Sequence, residues 1–333
     1  MSGQTFQLFN PSPFEKKYSM ISYLFMRVFR WATGLLLIMF ITYAMMFYGA
    51  GDPIKRMYLA RDAGSGMDEN VVDALREKFG LDKPFGAQFG NYMQNLVRGD
   101  MGYSIFMRRD VTDIVFARLP ISIQLGLAAT VLMTIIGIPL GVLAALNHNR
   151  WPDQLIVGVV VFFHAVPVFV VGPILLLIFV LALGLMDVPT GWKGLFHTQN
   201  ILPLFVLLLG PMPVVVRQTR AAMLEVMRQD YIRTARAKGV PEKMVIVRHM
   251  LRPILTPVVT SIGLIMIGII NGALIVEKLF NIPGFGTLTL RGLQTVDYPI
   301  IMATVLVGAM IVMVSNLLVD FIYPLLDPRV TRS

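Results

Sequence analysis

Six stretches of this 333-residue chain carry no Asp, Glu, Lys or Arg and are long enough, or nearly so, to cross a lipid bilayer. They are Trp31–Ala50, Leu119–Asn149, Gln154–Met186, Gly194–Val216, Pro253–Val276 and Tyr298–Val319. A helix rises about 1.5 Å per residue and the hydrocarbon layer is about 30 Å thick, so about 20 apolar residues span it. Each stretch is too long for a buried strand and lacks the polar face of a surface helix. Pro139, Pro167, Pro173 and Pro213 fall inside them, a pattern that a membrane bundle accommodates and a soluble helix tolerates badly. Composition agrees: 56% of residues are apolar and 15% charged, where soluble proteins carry about a quarter charged. The expectation is an all-α integral membrane protein with six transmembrane helices. The first stretch reads as an uncleaved signal anchor, because its apolar core exceeds a signal-peptide core and some thirty residues precede it.

The excess of 29 Lys and Arg over 20 Asp and Glu gives a net charge of +9. In a soluble protein that balance points towards nucleic acid, so the placement of the charges decides. Lys16, Lys17, Arg27 and Arg30 precede the first stretch, Arg150 follows the second, nine basic residues lie from Arg217 to Arg252, and Arg329 and Arg332 end the chain. The opposite connections hold only Lys193, Lys278 and Arg291, apart from a long segment at 51–118 whose ten basic residues are balanced by ten acidic ones. The positive-inside rule then puts both termini in the cytoplasm. The net charge is mostly topology, and a nucleic-acid partner loses its support.

The external segment contains Asp68–Gly80, which reads as a short helix started by acidic residues, striped by Val71, Leu75 and Phe79, and stopped by Gly80. Gly99-Asp100-Met101-Gly102 reads as a turn. The segment is either a docking surface for an external partner or a cap packed on the bundle. In the basic connection at 217–252, Ala221–Lys238 is rich in strong helix formers with an apolar stripe of Met223, Met227 and Ile232. Gly239 supplies a helix stop, and Pro241 followed by Glu242 starts another helix. Helix, glycine turn, helix is either a basic hairpin on anionic headgroups or a docking knob for a cytosolic partner.

The chain has no cysteine, and its four histidines are scattered without metal-binding spacing. No phosphate-cradling glycine loop is present, so no residue is assigned to catalysis or to a metal, and energy from a nucleotide would come from elsewhere. No acidic residue lies inside a span, which weighs against an ion-coupled carrier, although Gln124, His164 and Asn271 remain as polar candidates for a pathway, with Pro167 as a kink beside His164. Gly137-xxx-Gly141 and Gly268-xxx-Gly272 suit close helix packing.

The run Asp230-Tyr231-Ile232-Arg233-Thr234-Ala235-Arg236-Ala237-Lys238-Gly239 resembles the cytoplasmic signature of binding-protein-dependent ABC importer permeases, in the dipeptide/oligopeptide/nickel subfamily and its first, B-type, subunit. Gly80-Leu81-Asp82-Lys83-Pro84, Gly99-Asp100-Met101-Gly102-Tyr103-Ser104, Arg118-Leu119-Pro120, the run from Glu277 to Gly286, Asp297-Tyr298-Pro299 and Asp327-Pro328-Arg329 match that subunit type in order. The general permease signature begins Glu-Ala-Ala; here Arg233-Thr234-Ala235 stands in its place, a variant common in peptide-type permeases.

The resemblance implies a type I ABC importer permease fold in a bacterial or archaeal cytoplasmic membrane, the inner membrane where there are two. It divides the chain into an N-terminal tail at 1–30, a first helix at 31–50, an external segment at 51–118, a permease core at 119–324 with its coupling loop at 217–252, and a C-terminal tail at 325–333. It implies that Arg233, Ala235, Arg236, Ala237, Lys238 and Gly239 seat in a groove of an ATPase subunit, with Ala235 and Gly239 allowing close approach and the three basic residues meeting acidic surface. ATP and Mg would be bound by two such ATPases and by no site in this chain. A second, similar permease, an extracytoplasmic solute-binding protein and membrane lipid complete the expected partners. Glu277, Pro283, Gly284 and Phe285 correspond to the family's external gate region; Glu277 would pair with Lys278 or Arg291, or face the amine of an incoming peptide. Peptide, glutathione, nickel-chelate and opine or sugar import are all open within the family. A secondary carrier or channel is the rival from another class.

Overall fold

A computed structural model describes residues 20–49, 51–52, 54–55 and 69–326. Lys16, Lys17, Asp68, the Asp327-Pro328-Arg329 motif and Arg332 lie outside the described residues. Among the described residues the regular structure is helical apart from one hairpin of two two-residue strands.

Four helices are long and apolar enough to cross a membrane singly: α1 (Met20–Gly49), then α4 (Val111–Leu146), the helix that begins at Glu242, and a last one from Tyr298. Between α1 and α4 lie α2 (Glu69–Phe79), α3 (Phe85–Val97) and the antiparallel strands β1 (Tyr103–Ser104) and β2 (Arg109–Asp110). The two remaining spans are broken. The third consists of α5 (Trp151–Ala165) and α6 (Val168–Leu176, continued by a π-turn at Leu177–Ala182), bent by 98°. The fourth consists of α7 (Ile201–Leu209, preceded by a 3-10 turn at Thr198–Asn200) and α8 (Met212–Met227), bent by 53°. Pro167 lacks the N–H that would continue α5 and forces Val166 into extended backbone at ψ 121°, which makes the corner. The break between α7 and α8 falls at Gly210-Pro211, where both residues keep right-handed helical backbone and the bend is shallower. Six apolar segments were expected; among the described residues four are rods, and counting each bent pair as one span brings the number to six.

The basic connection departs from the expectation of one helix over 221–238. The chain leaves α8 at Arg228, passes an extended Gln229 at ψ 145°, and restarts as α9 (Asp230–Ala237) with Asp230 at the positive helix end. The break turns Ile232 back onto Met223. Beyond Gly239 a turn at Glu242–Met244 runs through a π-turn (Val245–Met250) into α10 (Leu251–Gly272). Then follow α11 (Leu274–Leu279), α12 (Phe285–Thr295) and α13 (Tyr298–Leu326).

The bundle is centred on α4, α8 and α10. Here the Gly137-xxx-Gly141 spacing finds its partner: a Cβ on Gly137 would lie 2.9 Å from Val215 Cγ1, and one on Gly141 would lie 2.6 Å from Thr219 Cβ and 2.7 Å from the Val216 carbonyl oxygen. Side chains of α8 lie directly on the bare backbone of α4 at these two glycines. Gly268 is different, with nothing within 4 Å of its would-be Cβ.

At one end, the capped end, α2, α3 and the hairpin cover the bundle. In α2 the buried residue is Val72 while Val71 is 40% exposed, so the inward face is set one residue on from the stripe expected. Asp52 receives Arg76, with Nε at 2.7 Å, and the backbone N–H of Ile54 at 2.8 Å. Partial burial pushes the Asp52 carboxyl up, but these bonds outweigh it and hold the group below its usual range. Phe85, Phe89 and Tyr92 of α3 pack with Tyr43 and Met46 of α1 and Tyr298 of α13, and the Tyr298 hydroxyl lies 2.7 Å from the Met46 carbonyl oxygen. Ser104 donates to the buried Asp297, joining the hairpin to the start of α13. Burial raises the Asp297 carboxyl above the usual carboxylate range, opposed by that hydrogen bond.

Gly141→Ala is expected to lower stability by about 1–3 kcal/mol, because the new methyl meets backbone that cannot give way. Gly268→Ala should stay within about 0.5 kcal/mol. Unfolding temperatures of the two purified variants in detergent compare them directly.

Candidate functional site

Two groups of residues deserve comparison, one at each end of the bundle, and the basic end is built around α9. Its Ile232 and Ala235 are buried against Met223 of α8, Val245, Met250 and Ile254. This face is closed by the chain itself, so Ala235 faces inward and does not form part of an open surface. The outer face carries Tyr231, Arg233, Thr234, Ala237 and Lys238, all exposed. Tyr231, Thr234 and Lys238 recur at helical spacing and form one stripe. Tyr231 and Thr234 were read as part of the signature but given no coupling role; their exposure, 46% for Tyr231, is what adds them here.

The turn after α9 is fixed by Gly239, whose φ of +75° lies in the left-handed region. Its N–H donates to the Arg236 carbonyl at 2.9 Å, and that of Val240 to the Ala235 carbonyl at 3.3 Å, so the last carbonyls of α9 are satisfied. Across the turn Arg236 grips Glu242 with both arms, Nη2 to Oε1 at 2.6 Å and Nε to Oε2 at 3.2 Å. That hydrogen bond raises the Arg236 guanidinium's proton affinity further. Arg236 is therefore a brace for the hairpin, with its guanidinium engaged by Glu242 within the chain. Arg233 sits 3.6 Å from Asp230, both highly exposed, an arrangement that contributes little. Lys238 makes no ion pair among the described residues. The basic end thus presents a stiffened, amphipathic rod with its apolar side occupied and an aromatic, hydroxylic and cationic side open.

At the capped end, the connection between α11 and α12 folds onto a buried carboxylate. Glu277 is fully buried; Ser122 of α4 donates to its Oε1 at 2.5 Å and the Thr287 N–H to its Oε2 at 2.9 Å. The Ser122 oxygen in turn accepts the Phe285 N–H at 2.7 Å. A Cβ on Gly284 would fall 2.3 Å from the Glu277 carboxylate, so only glycine allows the loop to lie there. Phe285 is buried with Val111, Ile114 and Val115 of α4. Glu277, Pro283, Gly284 and Phe285 are thus brought together as expected, but Glu277 bonds to Ser122 and backbone donors, not to Lys278, Arg291 or open space. Ser122 was missed; a hydroxyl inside a charge-free apolar stretch needs a buried partner, but the sequence does not say which.

The other candidates do not join this cluster. Gln124 is exposed, on the opposite side of α4 from Ser122. His164 Nδ1 donates to the Gly210 carbonyl at 2.6 Å and so ties the corner of the third span, at Pro167, to the corner of the fourth. Asn271 lies in α10, and its side chain lies outside the described set.

Residues 137–332 match the family described as the binding-protein-dependent transport system inner membrane component. Residues 20–126 match the N-terminal model of such membrane components. The glutathione transport system permease protein GsiC of Escherichia coli strain K12 is 35% identical over 312 residues, covering 93% of this chain and 99% of the relative. The protein of the same name from Shigella flexneri serotype 5b (strain 8401) matches with the same identity and coverage. Among solved structures, a chain of the MetNI methionine ABC transporter in an inward facing conformation aligns with a TM-score of 0.54 at 18% identity, covering 66% of this chain and 97% of that one. A second crystal form of MetNI aligns with a TM-score of 0.50 at 16% identity, covering 62% and 95%. These are likenesses of fold.

Glu277→Gln replaces an acceptor by a donor opposite Ser122 or the Thr287 N–H, leaving one buried donor unpaired at a cost of about 1–3 kcal/mol. The Phe285 and Thr287 amides should then exchange with deuterium at least about tenfold faster than in the unsubstituted chain, while amides of α8 stay protected.

Proposed function

The chain belongs to the family of binding-protein-dependent transport system inner membrane components and is a permease of an ABC importer, a multi-pass membrane protein of type I fold; on that premise we propose that it forms one of two walls of an import pathway for small peptides. The second wall is a similar permease, the power comes from two ATPase subunits that bind ATP and Mg, and an extracytoplasmic binding protein delivers the solute to the capped end. Both termini and the basic hairpin lie in the cytoplasm, in line with sixteen basic residues on that side against three in the short opposite connections.

The observation that carries the reading is α9: a short helix braced by the Arg236–Glu242 pair, seated on its own chain by Ile232 and Ala235, with Tyr231, Thr234 and Lys238 left outward. A rod whose apolar side is already filled is suited to transmit force rather than to sink into lipid. A partner shifts an equilibrium only through contacts that differ between two states, so ATP-driven movement of the groove around α9 moves the spans attached to it. The capped-end loop held by Glu277 acts as the external gate region. Glutathione, the cargo in the relatives' name, is a tripeptide, and a pathway for small peptides includes it; nickel chelates and opines rank below it.

Gly239→Val places a β-branched residue at φ +75°, a strain of about 1–2 kcal/mol that is relieved by re-aiming the end of α9. The variant is expected to insert in the membrane at normal abundance and to lose peptide uptake, scored as growth of an amino-acid auxotroph on a peptide that supplies the missing residue. Normal growth would exclude the coupling role of the hairpin.

A further inference from the structure

One buried ion pair takes no part in either group of residues described above. Asp153, in the first turn of α5, is 3% exposed. Its Oδ1 accepts Arg220 Nε at 2.6 Å and its Oδ2 accepts Arg220 Nη2 at 2.7 Å, a two-pronged pair between α5 and α8. The Asn149 N–H donates to Oδ2 at 2.9 Å, from a residue held in the left-handed region at φ +60°. Arg220 Nη2 also lies 2.9 Å from His148 Nδ1, which accepts from it. Every oxygen of the carboxylate is engaged, and the loop joining α4 to α5 is wrapped around the guanidinium.

The position of Arg220 gives the pair its meaning. Along the single helix α8, Val215, Val216 and Thr219 lie on the bare backbone of Gly137 and Gly141 in α4. Arg220 follows at once, and one turn later Met223 is buried against Ile232 of the α9 hairpin. Apolar packing between α5 and α8, such as Val160 with Met212 and Val216, resists separation but lets helices slide. A planar fork on a buried carboxylate fixes direction and register as well. From α5 the chain turns the corner at Pro167 into α6, where Gly172 lies so close to α11 that its Cβ would be 2.9 Å from Leu279 Cδ1. Leu279 is two residues past Glu277, so a continuous run of tight contacts joins the basic hairpin to the capped-end loop.

We propose that Asp153 and Arg220 are positioning residues that make the α4–α5 corner travel with the coupling hairpin as one body, so that displacement of α9 reaches α5, α6 and the Glu277 loop. This rests on the reading of α9 as the ATPase-docking element. When the hairpin is displaced, the pair carries the load that would otherwise be lost as sliding between α5 and α8.

The chain has no cysteine, so spin labels at Arg150→Cys and Arg228→Cys, both exposed positions outside the ion pair, are the only ones it carries. Their separation is measured in the importer assembled with its second permease, ATPases and binding protein, without nucleotide and trapped with ATP and vanadate. A second label pair, Arg228→Cys with Asn91→Cys in the cap, reports whether the hairpin moves at all. The expected result is one narrow 150–228 distance, the same in both states, while the 228–91 distance changes. Asp153→Asn and Arg220→Lys should keep the nucleotide-free distance and lose the single distance in the trapped state, with solute moved per ATP falling about tenfold. A 150–228 distance that shifts on trapping in the unsubstituted chain overturns the proposal. So does a distance in both variants that stays narrow in both states, or one that is already broad without nucleotide, or failure of both variants to assemble, since the last two outcomes make the pair a static folding contact. An unchanging 228–91 distance, or no ATPase bound to the unsubstituted chain, removes the docking reading itself and the proposal with it.

Discussion

Close contact of α8 with α4 at two residues without side chains is the constraint on which the rest is hung. In a membrane no hydrophobic force draws helices together, so close backbone approach and dispersion must supply the attraction. Gly137 and Gly141 provide that approach, with Val215, Val216 and Thr219 filling the space where side chains would stand. Because α8 is fixed against α4 over those residues, its continuation is fixed too, and with it the direction in which Arg220 and Met223 point. The basic hairpin inherits its orientation from two glycines more than ninety residues earlier in the chain.

The fully buried carboxylates at the two ends of the bundle are held by different means, whereas the half-buried Asp52 at the capped end takes the Arg76 guanidinium. At the capped end, buried carboxylates are held by hydroxyls and backbone N–H groups: Glu277 by Ser122 and Thr287, Asp297 by Ser104. At the basic end, carboxylates are held by guanidinium groups, Asp153 by Arg220 and Glu242 by Arg236. The difference has a physical basis. Neutral donors bind a carboxylate without a second charge to desolvate, which suits a loop tucked into the protein, while an arginine fork resists rotation and suits elements that bear load.

Much of this was legible in the chain. Charge-free length marked every apolar segment, the Gly239–Pro241–Glu242 sequence marked the hairpin turn, and the Gly137–Gly141 spacing marked a close contact without naming its partner. What could not be read was the meeting of distant residues. Nothing local to Ser122 announces Glu277, which lies 155 positions away, and nothing local to Asp153 announces Arg220. Prolines were read as tolerated kinks, yet Pro167 produces a 98° corner because the chain is held on both sides of it, by His164 on the Gly210 carbonyl before it and by Leu279 against Gly172 beyond it. The break between α8 and α9 was hidden because both halves are good helix formers, and tertiary burial of Ile232 outweighed their propensity to continue.

Helix α4 has 36 residues, a rod of about 54 Å where the apolar layer needs about 30 Å. Its first turns lie at the capped end, where Val111, Ile114 and Val115 are the seat of Phe285. A rod of that length is a lever arm. Pivoting it by ten degrees about its midpoint sweeps each tip through about 5 Å, roughly the width of an extended peptide backbone.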